Sequence, residues 1–117
     1  MKRMVDHAWV KEFSGALLIC DPNGIITEMN DEAVKSFQKN GGRELIGKNV
    51  LDCHPEPARS KLRSLMDDRQ ANIYTIEKKG KKKLIYQTPW YKEGEYGGFL
   101  ELILEIPAHM PHFIRGD

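Results

Sequence analysis

Apolar positions in residues 5–13 (Val5, Ala8, Trp9, Phe13) recur at helical spacing, and Ser14-Gly15 predicts where that short amphipathic helix stops. The run Ala16-Leu17-Leu18-Ile19-Cys20 then reads as a buried strand, Asp21-Pro22-Asn23-Gly24 as a tight turn, and residues 25–29 as a second strand. Asn30 or Asp31 caps a helix that carries Ala33, Val34 and Phe37 on one face, and Asn40-Gly41-Gly42 ends it. Residues 43–46 make one helical turn closed by Gly47. After Asp52-Cys53-His54, the run Pro55-Glu56-Pro57 pre-sets the backbone for a further helix, with Glu56 in its first turn. Leu62, Leu65 and Met66 face inward on that helix, and Arg59, Lys61 and Arg63 face water.

The last third changes period from helical to alternating. Strands are expected over residues 72–78, 83–91 and 96–106, separated by the Gly80 turn and by Lys92-Glu93-Gly94-Glu95. In the final strand Leu100, Leu102, Leu104 and Ile106 share one face, and Glu101 and Glu105 share the other, which predicts one buried and one wet face. This order of elements is met by an α+β fold: one five-stranded antiparallel sheet with its helices packed on a single face. The expected organisation is a helical cap over residues 1–14, a single domain over 15–107 and an irregular tail over 108–117, set off by Pro107 and interrupted by Pro111 and Gly116.

Composition narrows the setting. A chain of 117 residues suits one domain, and 40% apolar with 30% charged residues is the balance of a folded, water-soluble chain. No apolar run approaches the ~20 residues that span a bilayer, and the polar Met1-Lys2-Arg3 start lacks the core of a signal peptide. A cytoplasmic location, no membrane partner and reduced thiols at Cys20 and Cys53 are therefore expected. The formal net charge of +1 gives no field for steering toward nucleic acid. The lysine run around Gly80 has no interleaved aromatic residues and reads as a solvated hairpin tip, so no nucleic-acid partner is expected.

Four stretches, in order, resemble the PAS domain over roughly residues 8–106. GALLICDPNGIITEMNDEAVKSF is similar to the family's opening hairpin and Asn-capped helix, RELIGKN to its Glu-Leu-hydrophobic-Gly turn, the following segment to its connecting helix, and the strands ending GGFLELILEI to its closing meander. The resemblance implies a sensory or interaction module, often dimeric through its N-terminal helix, that holds haem, flavin, a small organic ligand or nothing between sheet and helices. Flavin photoreceptors of the family resemble Gly-x-Asn-Cys in the turn. Here Val50 follows Gly47-Lys48-Asn49 and Cys53 falls three residues late, so adduct chemistry is not expected. Pro55-Glu56-Pro57 is similar to a feature of oxygen-sensing haem members, whose axial histidine comes from the helix that follows. Ser60-Lys61-Leu62 supplies none, which leaves His54, or Cys53, as the ligand of a haem-sensor alternative. Cys53 just before a helix N-terminus is also the placement of a low-pKa redox thiol.

The remaining chemistry is sparse. His109-Met110-Pro111-His112 has metal-ligand spacing, but Pro111 breaks the helix that would align the pair, and no set of four ligands exists. No acid, base and nucleophile form a coherent set, so an enzyme is not expected. A ligand pocket is expected where Tyr86, Thr88 and Trp90 alternate on one strand face opposite Leu100 and Leu102, because buried Tyr and Trp tips need partners. Ile85 and Gln87 then point outward, available to a partner. The expected function is a non-catalytic sensory module that binds a small ligand or a protein partner and signals through packing or dimerisation. With no output domain in 117 residues, it acts on a separate signalling protein, and Trp9 and Phe13 form the expected homodimer seam.

Overall fold

The computed structural model describes residues 7–116. A short helix α1 (Ala8–Lys11) precedes the hairpin β1 (Ala16–Cys20) and β2 (Ile26–Met29), followed by α2 (Asp31–Ser36). Three 3₁₀ turns, Gln38–Asn40, Gly42–Leu45 and Val50–Cys53, lead to α3 (Ala58–Asp68). The chain closes with the meander β3 (Asn72–Lys78), β4 (Lys81–Lys92) and β5 (Glu95–Ile106). All five strands form one antiparallel sheet in the order β2-β1-β5-β4-β3, so the two halves of the chain join where β1 pairs with β5. Residues 107–116 carry no regular element.

Local chemistry accounts for each junction. Asp21 Oδ1 accepts from the amides of Asn23 and Ile25 and holds the first hairpin turn. Asn30, 3% exposed, caps α2 through Ala33 N at 3.0 Å and also accepts from Leu17 N at 2.9 Å. Its Nδ2 donates to the carbonyls of Val10 and Gly15 at 3.0 and 2.8 Å, so one amide ties α1, β1 and α2 together. The helix expected over residues 5–13 is shorter than its periodicity suggested, ending at Lys11, and Val5 lies outside the described residues. Phe13 N donates to Val10 O as the chain turns toward β1. Glu56 also precedes its helix rather than sitting in the first turn. Pro57 occupies the cap position without a side-chain cap, and the Glu56 carboxylate does that work by accepting from Ser60 N at 2.8 Å and Ser60 Oγ at 2.7 Å.

The core lies on one face of the sheet. Ala16, Leu18 and Cys20 of β1 and Phe99 of β5 pack under Leu45, Val50, Leu51, Leu62, Leu65 and Met66, with Ile103 against the same cluster. Register then assigns every position of the meander. Leu18 pairs with Glu101, Glu101 with Gln87 and Gln87 with Asn72, one row across four strands on the helix-covered side. Leu17, Leu102, Tyr86 and Ile73 form the neighbouring row on the open side. The expected orientation of β4 and β5 is therefore reversed: Ile85 and Gln87 are 4% and 6% exposed, whereas Tyr86, Thr88, Leu100, Leu102 and Leu104 are half-buried. The strand alternates as expected, but its mixed row of Phe99, Glu101 and Ile103 turns inward and its cleaner apolar row outward, because pairing with β1 rather than hydrophobicity decides the face.

Candidate functional site

The inner row carries polar groups where its flanking rows carry core. Gln87 is bracketed on its own face by Ile85 and Pro89, and Glu101 by Phe99 and Ile103. Their side chains join: Asn72 Nδ2 donates to Gln87 Oε1 at 3.1 Å, and Gln87 Nε2 donates to Glu101 Oε2 at 2.9 Å. With both ends of its amide engaged, Gln87 is oriented without ambiguity, since its oxygen faces a donor and its nitrogen a carboxylate. Gln87 and Glu101 line a narrow cleft beneath α3, walled by Leu18, Phe99, Leu62 and Met66. Its volume is about 10 Å³, close to the room one water occupies. Tyr74, on the same face of β3, lies near enough to feel this carboxylate: burial first and the Glu101 charge second raise its phenol above the ordinary tyrosine range.

Among the described residues no Lys, Arg or His lies within 4.0 Å of the Glu101 carboxylate, so its only direct side-chain partner is the neutral Gln87. The cleft is thus an apolar slot with an anionic end, held in place by a hydrogen-bonded row that spans β3, β4 and β5.

Solved structures share this arrangement of sheet and helices. A C-terminal domain from Streptococcus mutans superposes with a TM-score of 0.67 at 18% identity, covering 82% of this chain and 78% of that one. The Aer2 receptor from Vibrio cholerae, described as a dual PAS-heme oxygen sensor, matches with a TM-score of 0.60 at 18% identity over 80% of this chain and 96% of its own. The PAS domain of the histidine kinase ThkA matches with 0.58 at 21% identity over 76% and 96%. The chain has the PAS fold. No family model matches it, and no curated protein sequence matches it significantly.

Within the PAS fold, the residues expected at the site part company. Tyr86 and Thr88 stand opposite Leu102 and Leu100 as expected, but on the open face of the sheet. Leu100 is the one of the seven expected site residues that borders the inner cleft, where it links Phe99 to Glu101. Trp90 has a different partner: its Nε1 donates to Cys20 O at 3.0 Å, with the indole laid over Gly97. At Gly98, φ is +133° and an added Cβ would collide with Cys20 O, so glycine is required where β5 and β1 approach.

Cys53 and His54 do not line the cleft beneath α3. Cys53 belongs to the 3₁₀ turn Val50–Cys53 and borders a separate shallow concavity with Ile25, Leu45 and Lys48. Burial and then the Asp52 charge push its thiol above the ordinary cysteine range, the direction opposite to a redox thiolate. The His54 ring approaches Val50 O at 2.8 Å through Nδ1, which must carry the proton because a carbonyl only accepts. The main-chain oxygen of His54 accepts from Arg59 Nε at 3.0 Å, so this residue fastens the turn to the start of α3. A water-sized cleft whose lining includes no histidine does not fit haem, and its size does not fit flavin.

Sequence reasoning missed Asn72, Gln87 and Glu101. The available signal was Gln87 itself, an amide set between Ile85 and Pro89 at two-residue spacing in a strand whose other face is also apolar. A polar residue in that setting, with a partner on each neighbouring strand, marks a built network.

Proposed function

We propose that this chain is a non-catalytic sensory module that takes a small ligand group into the cleft beneath α3 and passes its occupancy to the outer face of the sheet. The observation that carries this reading is the row Asn72–Gln87–Glu101. A hydrogen-bonded polar chain on the core side of a sheet is a costly way to fill space, because each member must be desolvated and then satisfied. The likeness to PAS domains of a receptor and a histidine kinase supports a sensory role.

Strand geometry supports the route outward. Gln87 and Glu101 are chain neighbours of Tyr86 and Leu102, which pair with each other on the opposite face. A group that displaces the inner side chains therefore acts on the backbone that sets the outer row. That outer row is a half-buried apolar surface, and at its end Trp9, 64% exposed, meets Phe13 edge-on with ring centroids 6.3 Å apart. In this reading a second copy covers Trp9 and the outer leucines, and a separate signalling protein reads the dimer. A cytoplasmic location belongs to the same reading; among the described residues no helix is long and apolar enough to cross a membrane. The haem or thiol sensor centred on His54 and Cys53 draws less support, since both are engaged in the turn before α3.

Native mass spectrometry tests the proposal directly. The expected result is a homodimer that Trp9→Glu converts to monomer, with a dissociation constant that Gln87→Leu changes without unfolding the chain. A monomer at all concentrations, or a dimer indifferent to both substitutions, would refute the route from cleft to outer face.

A further inference from the structure

We infer that the open edge of β3 docks a second copy of this chain, the two β3 strands pairing antiparallel about a twofold axis at Thr75 so that the sheets join. This contact is separate from the Trp9 seam and leaves the helix-covered core of each copy as it is.

The two edges of the sheet are built differently. β2, at one end, has four residues, and its outer side is already occupied. Ile26 N donates to Lys48 O at 2.9 Å, Gly47 N donates to Ile26 O at 2.8 Å, and Ile25 bridges Asn49. β3, at the other end, has seven residues, pairs with β4 without a bulge and contains neither glycine nor proline. Among the described residues, no main-chain hydrogen bond outside the ladder with β4 reaches it. A straight, open strand of this kind presents a row of unpaired N–H and C=O groups on which another strand can add. It is also apolar: Ile73, Tyr74 and Ile76 are 54%, 41% and 38% exposed within one short element.

Register decides which groups face outward. The turn Lys79-Gly80 has φ of +53° and +77°, a two-residue hairpin closed by the pair Lys78–Lys81. Such a closing pair exchanges both main-chain bonds, and the alternation that follows from it commits Tyr74 and Ile76 to β4. Ile73, Thr75 and Glu77 therefore turn their N–H and C=O groups to the open edge. A twofold axis perpendicular to the sheet keeps the inner faces of both copies on one side. Centred on Thr75, it pairs all seven residues: Thr75 with Thr75, Tyr74 with Ile76, Ile73 with Glu77 and Asn72 with Lys78. The three outward-bonding residues then meet one another, as a bonded ladder requires, and no like charges stand opposite.

Charge favours a second copy over an unrelated strand. The edge is basic where it ends, at Lys78 and Lys79, and acidic just before it begins, at Asp67 and Asp68 in the last turn of α3. Among the described residues none of these four has an ion pair, and two acids at a helix C-terminus oppose the helix dipole. Antiparallel self-pairing carries the lysine end of each copy toward the acidic end of the other, twice by symmetry.

Seven paired residues make a small contact of the transient class, under roughly 1,200 Å² in total. It is open at the dilution of native mass spectrometry and closes in concentrated protein. The test is amide hydrogen exchange of the full chain, read by NMR in micromolar and millimolar samples. Exchange at Ile73, Thr75 and Glu77 should slow roughly tenfold or more in the concentrated sample, whereas Tyr74 and Ile76 should be protected in both. Thr75→Pro removes an outward N–H and no bond to β4, and should abolish that concentration dependence. Trp9→Glu should leave it in place. Equal exchange at the three positions in both samples would overturn the proposal, as would concentration-dependent protection that survives Thr75→Pro. Loss of the effect in Trp9→Glu would assign it to the Trp9 seam and overturn the edge as a separate contact. Because the alternation is read on the wild-type chain, the outcome does not depend on how Thr75→Pro folds.

Discussion

The two faces of this sheet are built from similar numbers of apolar side chains and do opposite things. The inner face is closed by helices and contains Phe99, Ile85 and Leu18 together with the polar row Asn72–Gln87–Glu101. The outer face has the cleaner apolar row, Leu100, Leu102 and Leu104, and those residues are only half-buried. Hydrophobicity alone would exchange the two. The comparison shows that the inward side of a sheet is chosen by what packs on β1 and is propagated by register, and that the cleaner apolar row is the one left half-exposed.

The sharpest way to break this comparison is to truncate one residue on each face. Phe99→Ala should destabilise the chain by about 3–5 kcal/mol, the usual cost of emptying a buried aromatic site, read from urea unfolding. Asn30→Ala comes next, at about 2–4 kcal/mol, because it removes the α2 cap and leaves Leu17 N and the carbonyls of Val10 and Gly15 without their partner. Leu102→Ala, measured on dilute protein, should cost only about 1 kcal/mol, and the difference should grow with protein concentration if a second copy covers this face. A loss equal to that of Phe99→Ala at every dilution would mean that the outer face is already closed within one chain.

A chemical comparison follows. Cys20 is 1% exposed and Cys53 half-buried, with both thiols raised first by burial, so alkylation at neutral pH should be slow at Cys53 and slower at Cys20. Fast labelling of Cys53 would restore the redox reading. The smallest effect concerns Glu56, whose carboxyl is held below the ordinary glutamate range, first by the Ser60 hydroxyl and then by the Ser60 amide. A folded-state pKa below the unfolded one stabilises above the unfolded value, and that contribution disappears as the pH falls through the folded value. Glu56→Gln should therefore lower the melting temperature slightly at pH 7 and not at pH 2, as followed by circular dichroism.

Much of the fold was legible because its signals are local. Asp21-Pro22-Asn23-Gly24 specifies a turn, Asn30 a cap, and Leu62, Leu65 and Met66 a helical stripe, and each appears where its chemistry requires. The candidate site was not legible, for a physical reason. Whether Gln87 faces the core or water depends on pairing with β5, and the orientation of β5 depends on β1, about 80 residues earlier in the chain. Cys53 and His54 drew attention as reactive types, yet the turn before α3 engages both, and side-chain type alone does not reveal such engagement.

The bond from Trp90 to Cys20 O has an optical consequence. The chain has two tryptophans, and they sit in opposite surroundings: Trp90 is hydrogen-bonded against the first strand, and Trp9 is 64% exposed beside Phe13. Iodide in solution quenches the exposed Trp9 more strongly than the half-buried Trp90. Its quenching of the red edge of the emission reports whether Trp9 is covered, while the blue edge follows the contact of β4 with β1. One cuvette thus reads assembly and folding at two colours, with no label attached.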